Sequence, residues 1–186
     1  MRRREVMTAL ATMGAAMGAT TGLATPGLSW AGGKQAAVGD VAPPFSVTTF
    51  DRQVIKSTEM AGDVVVLNYW ATWCGPCRAE MPAMDQFMRE RGGAGLRIYA
   101  ITVESSPPER ALRDLAKVLA FPLAKRLTGK GYGKIDNAVP TSFVIDRQGV
   151  VRHADAGSFT YGSFAKLLKP LLAEPRPIEA KPAPVA

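Results

Sequence analysis

VVVLNYWATWCGPCRAEMPAM, residues Val64–Met84, is the stretch on which the fold turns. Its first seven residues, Val64–Trp70, form a near-continuous apolar run, the pattern of a strand covered on both faces. From Gly75 the period changes. Met81, Met84 and Met88 share one face of a helix that the spacing extends to Arg91. That methionine stripe is read as core packing, because an unbranched thioether fills irregular gaps. Gly92, Gly93 and Gly95 end the helix. Between strand and helix stand both cysteines of the chain, in Trp73-Cys74-Gly75-Pro76-Cys77.

A cysteine at a helix N-terminus meets unpaired backbone N–H groups and the positive end of the helix dipole. Both stabilise a thiolate, so Cys74 is expected to ionise more readily than a free thiol and to be the exposed attacking sulfur. Pro76 suits the first helical turn, where its missing N–H costs nothing. The i, i+3 spacing brings the two sulfurs within bonding reach. Cys77, one turn in, is expected to resolve a mixed disulfide. A zinc half-site would need two further ligands, and the sequence holds a single histidine, His153, expected at a surface or edge position. A purely structural disulfide across so short a loop would add little stability.

Two further features bear on this site. Glu80 follows Cys77 by three residues and shares its helix face. It is either a buried carboxyl with a raised pKa, exchanging a proton with Cys77, or a surface glutamate in an ion pair with Arg78 or another neighbour. Spacing leaves both open. Pro140, in Ala138-Val139-Pro140-Thr141, opens an apolar strand, and an ordinary trans proline is the simplest expectation from the residues alone.

Outward from this segment, strands and helices alternate. Phe45–Phe50 and Gln53–Lys56 read as two short strands around Asp51-Arg52, and Leu96–Val103 as a buried strand. Pro107-Pro108 opens a helix through Leu119, with Leu112, Leu115 and Leu119 on one face. Thr141–Asp146 and Val150–Ala154 form a hairpin about Arg147-Gln148-Gly149. A last helix from Tyr161 carries Phe164, Leu167, Leu168 and Leu171, and Pro170 is expected to kink or shorten it. This order predicts an α/β domain: a central mixed sheet with helices on both faces.

The chain of 186 residues, with 47% hydrophobic and 21% charged residues, suits one globular domain with appendages and excludes a wholly disordered chain. Its formal charge, 23 basic against 16 acidic residues, is +7, but no dense Lys/Arg run is interleaved with aromatics, so nucleic acid is not an expected partner. Arg2–Arg4, the uncharged Val6–Ala24 and the small-x-small Ser29-Trp30-Ala31 read as an export signal over residues 1–31, with a twin-arginine flavour. Cleavage is expected after Ala31; the other reading is an uncleaved membrane anchor through residues 6–24. Residues 32–40 read as a linker and residues 41–173 as the domain. Residues 174–186 hold four prolines and read as a disordered tail.

On these residues the chain resembles thioredoxin-fold proteins, and in particular it is similar to the exported TlpA/ResA/CcmG-type thiol–disulfide oxidoreductases. The resemblance spans Val38–Leu172 and rests on Val38–Phe45, the CxxC segment, Glu80 with Pro82, and Val139–Gly149. It implies a thioredoxin-like fold with an N-terminal β-hairpin extension and a redox-active disulfide between Cys74 and Cys77. Trp73, Gly75, Pro76, Val139 and Pro140 would meet the client. Pro140 would be cis and face the CxxC, and the Val139 backbone would pair with an extended client segment. Glu80 matches the buried acid of this branch. Cytosolic thioredoxins carry a buried aspartate where Asn68 stands here, and an amide cannot carry a proton, so acid–base work would fall to Glu80.

Gly-Pro between the cysteines implies a reducing pair, recharged outside the cytoplasm by a membrane electron donor of the DsbD/CcdA type. The implied clients are exported proteins with cysteine pairs, such as apocytochrome c or the copper-site cysteines of cytochrome oxidase assembly. No metal or organic cofactor is implied. The competing readings are a disulfide oxidase and a Cu(I)-binding chaperone using the two thiolates. A peroxiredoxin reading fails at Ala71 and Leu67, where that family carries a threonine or serine and a proline.

Overall fold

The computed structural model describes residues 34–177. The segment read as an export signal or anchor therefore lies outside the described residues, as does the tail beyond Pro177. Val64–Trp70 forms strand β3, with all seven residues buried. Helix α1 (Gly75–Arg91) follows after a short turn. The remaining elements are β1 (Phe45–Thr49), β2 (Val54–Lys56), β4 (Leu96–Thr102), α2 (Glu109–Ala116), β5 (Leu123–Gly129), β6 (Thr141–Ile145), β7 (Val151–Ala156) and α3 (Tyr161–Ala173).

The strands form one mixed sheet of seven, in the order β2-β1-β5-β4-β3-β6-β7. The three central strands β3, β4 and β5 are parallel, joined by crossovers through α1 and α2. The hairpin β1–β2 adds antiparallel to β5, and the hairpin β6–β7 adds antiparallel to β3. Both crossovers step across the sheet in the same direction, which puts α1 and α2 on one face. Val64, Val66 and Trp70 of β3 pack there with Met81, Met84 and Phe87 of α1, Leu112 of α2, and Phe164 and Leu168 of α3. Val65, Leu67 and Tyr69 point the other way, into a second cluster with Phe45, Met60, Tyr99 and Phe143. Helices on both faces thus take an unequal form. Three α-helices cover one face, and the 3-10 turns Ser57–Met60 and Ile135–Asn137 lie on the other.

Four local expectations change. Strand β5 was not legible: Lys125 and Arg126 interrupt its apolar pattern, and only Leu123 and Ala124 are buried. It is a strand because β1 and β4 supply partners on its two sides. Residues 34–40, read as linker, pack onto the domain. Ala36 is 2% exposed and its N–H bonds the Gly131 carbonyl, while Gly39 N–H bonds that of Val151. Helix α2 stops at Ala116, short of Leu119. Helix α3 continues through Pro170 to Ala173, because Pro170 and Lys166, whose carbonyl loses its usual donor, both lie on the exposed face.

Candidate active site

Cys74 is the N-cap of α1, and its Sγ accepts from the Cys77 N–H at 3.2 Å. The two sulfurs are joined at 2.11 Å, with Cα atoms 5.3 Å apart. Cys74 accordingly sits where the first-turn N–H groups and the helix dipole favour negative sulfur. Cys77 is fully buried, as expected of the inner sulfur, but Cys74 is 4% exposed rather than open to solvent. The Val139 carbonyl oxygen lies 3.6 Å from Cys74 Sγ and covers it. The Val139–Pro140 peptide bond is cis, so the pair expected to face the CxxC does face it. Trp73 is 69% exposed, and Gly75 and Pro76 are also exposed, leaving a rim around the covered disulfide.

Glu80 is 1% exposed and makes no ion pair with Arg78. Of its two sequence readings, the structure takes the buried one. Oε1 accepts from Asn68 Nδ2 at 2.8 Å and Oε2 from the Phe159 N–H at 2.8 Å. Burial raises its pKa above the ordinary carboxyl value, and these two hydrogen bonds oppose the rise. Asn68 is itself 1% exposed and also donates to Ser142 Oγ at 3.0 Å. His153 lies on the edge strand β7, half-buried, with its ring 5.2 Å from that of Phe159. Burial lowers its pKa, partly offset by Asp155. Among the described residues, no group of three His, Cys, Asp or Glu side chains converges as a metal site.

Three residues escaped the sequence reading. Glu104 braces the turn carrying the cysteines: its carboxylate accepts from Thr72 N–H at 2.8 Å and from the Thr72 hydroxyl at 2.9 Å. Phe159 supplies a backbone donor, and Ser142 sits opposite Asn68 in the β3–β6 register. Only the strand pairing and the loop before α3 bring them here, so no local pattern announces them.

The profile of the AhpC/TSA family matches residues 38–154, a span that holds the CxxC turn, Glu80 and the Val139–Pro140 pair. The chain belongs to that family. Within it, the chain is 34% identical over 137 residues to the thiol-disulfide oxidoreductase ResA of Bacillus thuringiensis, covering 71% of this chain and 77% of that protein. It is also 34% identical over 127 residues to the thioredoxin-like protein YneN of Bacillus subtilis, covering 66% and 73%. Among solved structures, a thiol:disulfide interchange protein DsbE from Chlorobium tepidum superposes with a TM-score of 0.61 at 28% identity, covering 75% of this chain and all of that one. This AhpC/TSA-family chain, with its cysteine pair joined at a strand-to-helix turn, is a thiol–disulfide oxidoreductase of the ResA/DsbE type. No helix among its described residues is long and apolar enough to cross a membrane.

Proposed function

We propose that this protein reduces disulfides in exported proteins, with Cys74 as nucleophile, Cys77 as resolving thiol and Glu80 as the carrier of the resolving thiol's proton. The observation that carries the reading is a fully buried carboxyl one helical turn below the inner sulfur, paired only with neutral donors. In the reduced enzyme, the Cys74 thiolate attacks one sulfur of the client disulfide. A Cys74–client bond forms and the other client sulfur leaves as thiolate. Cys77 then passes its proton to the Glu80 carboxylate, and the Cys77 thiolate attacks Cys74 Sγ. The enzyme disulfide closes, the second client sulfur leaves, and Glu80 returns its proton to it. Two electrons pass from the enzyme to the client.

Trp73, Gly75, Pro76 and the Val139–Pro140 pair form the client surface in this reading, with the Val139 backbone offered to an extended segment. Gly75-Pro76 supports the reducing direction. The N-terminal sequence supports export, by cleavage or by anchoring, and a reductant outside the cytoplasm needs a membrane dithiol donor. Apocytochrome c and the copper-site cysteines of cytochrome oxidase assembly are the clients to test first. The deciding measurement is the equilibrium reduction potential of the Cys74–Cys77 pair. A value near or below about −250 mV supports a reductase, and one near about −120 mV reverses the direction and makes the protein an oxidase.

A further inference from the structure

Glu80 and Asn68 are each 1% exposed, so bulk solvent does not reach the carboxyl and the neighbouring protein groups set its hydrogen bonds. As arranged, both carboxylate oxygens accept, from Asn68 Nδ2 and from the Phe159 N–H. Asn68 directs its other amide hydrogen to Ser142 Oγ, its register partner on β6. Among the described residues no donor reaches the buried Asn68 Oδ1. A buried acceptor without a partner is uncommon and has a reason. Here the arrangement suits an ionised Glu80: three acceptors, Glu80 Oε1, Glu80 Oε2 and Ser142 Oγ, face three N–H hydrogens. A protonated Glu80 becomes a donor at one oxygen and would point its hydrogen at the amide N–H. The acceptor it then lacks is the idle oxygen on the same amide.

We propose that Asn68 is a positioning residue whose side-chain amide turns over with the proton on Glu80. Nδ2 faces Glu80 and Ser142 when the carboxyl is ionised, and Oδ1 faces both when it is protonated. A half-turn about the terminal torsion exchanges the two ends of the amide with little change of shape. In the turned state Oδ1 accepts from the Glu80 O–H and from the Ser142 hydroxyl, whose hydrogen rotates freely to suit. One proton is gained at Glu80, and Asn68 and Ser142 keep theirs. Each orientation leaves one end of the amide unpaired, so neither is locked by the amide alone, and the proton decides.

The ionisable groups that helix spacing and strand register place nearest this pair are Cys77 on α1 and His153 and Asp155 on β7, opposite Val144 and Ser142. Arg78 of α1 and Arg152 of β7 are exposed, and Tyr69 of β3 points to the other face of the sheet. β4 contributes only Ala100 beside Asn68. Tyr161 of α3 turns its hydroxyl away to Glu90. In the disulfide form Cys77 does not titrate, which leaves Glu80 to be followed without it.

The proposal rests on reading Glu80 as the proton carrier, but its test needs no turnover. The oxidised full-length protein, labelled with ¹³C and ¹⁵N, is titrated while NMR follows the Glu80 carboxyl carbon and the Asn68 side-chain NH₂ together. His153 ring signals are followed separately. The expected result is one shared inflection, with NOEs from the Asn68 NH₂ to the Ser142 β-hydrogens present above it and lost below it. Asn68→Ala is expected to raise the Glu80 inflection, because the charge-assisted bond it removes from the ionised form is stronger than the neutral bond it removes from the protonated form. Ser142→Ala, the milder change should Asn68→Ala not fold, is expected to raise it less. An NH₂ group that keeps its Ser142 contacts through the Glu80 inflection overturns the turnover. A Glu80 inflection unmoved by either substitution overturns the positioning role. Failure to reduce any client disulfide, with the NMR coupling intact, would instead sink the proposed function and leave the amide switch standing.

Discussion

At the end of β3 far from the cysteines, Arg147 is 5% exposed, and its guanidinium donates to the carbonyls of Gly62 at 2.8 Å, Ala94 at 2.7 Å and Leu172 at 3.0 Å. Asp146 beside it, 1% exposed, accepts from the Gln148 and Val150 N–H groups at 2.9 Å each and from Arg152. At the cysteine end, Glu80 is equally buried but has two neutral donors and faces an amide with an idle oxygen. The difference lies in how the charge is held. Arg147 is permanently charged, and it fastens the loop before β3, the turn before β4 and the C-terminal end of α3 to the β6–β7 turn. At Glu80 desolvation, which favours the neutral carboxyl, pulls against two hydrogen bonds, which favour the charged one. One end of the sheet uses buried polarity as a fastening, and at the other the proposed mechanism gives it a proton to carry.

Substitutions at the two ends should separate activity from stability. Cys74→Ser is expected to bring client-disulfide reduction down to the uncatalysed background, and retained turnover would remove Cys74 as the nucleophile. Glu80→Gln keeps the shape but not the proton exchange. Rapid-quench measurement of mixed-disulfide resolution should find it slowed roughly a thousand-fold near neutral pH, with a flattened pH profile.

The same variant tests the burial of Glu80 through stability. Because its folded pKa lies above the ordinary 4.5, the folded chain retains a proton that the unfolded chain has released. The stability of the wild type relative to Glu80→Gln should therefore be greatest below the unfolded value and fall as pH rises through the folded one. Denaturant curves across that window would show the decline, and a flat difference would mean that the carboxyl is better solvated than its burial implies.

Arg147→Met should cost about 3 kcal/mol in denaturant unfolding, since three carbonyls, that of buried Gly62 among them, lose a charged donor. The activity of the folded fraction should be unchanged. A loss of activity without a loss of stability would erase the contrast between the two ends. Trp73→Ala, on an exposed rim, should alter stability by no more than ~0.5 kcal/mol. Binding of a trapped client to the Cys77→Ser enzyme should weaken by about 1 kcal/mol, and unchanged binding would take Trp73 out of the client surface.

The parts legible in the sequence are those whose cause is local. Val64–Trp70 and the methionine stripe of α1 carry their periods in adjacent residues, and the helix start at Gly75 follows from Pro76 and the N-cap at Cys74. The hairpin around Arg147-Gln148-Gly149 is local in the same way, although its second strand runs on to Ala156. Strand β5 was missed because its apolar content is two residues, and its identity comes from neighbours far along the chain. Pro140 was an ordinary proline by its residues alone, and only the family resemblance pointed to the cis bond.

The sequence by itself determined that a redox-capable cysteine pair would sit at the N-terminus of a helix leaving a buried strand, because chain spacing and helix geometry suffice for that. It left the side of the helix on which Glu80 lies undecided. That choice was made by contacts across the fold: the Phe159 N–H from 79 residues away, and Asn68 held to Ser142 across 74 residues. Burial and the supply of hydrogen-bond partners are properties of packed neighbours rather than of adjacent residues, so only the tertiary structure could set the state of that carboxyl.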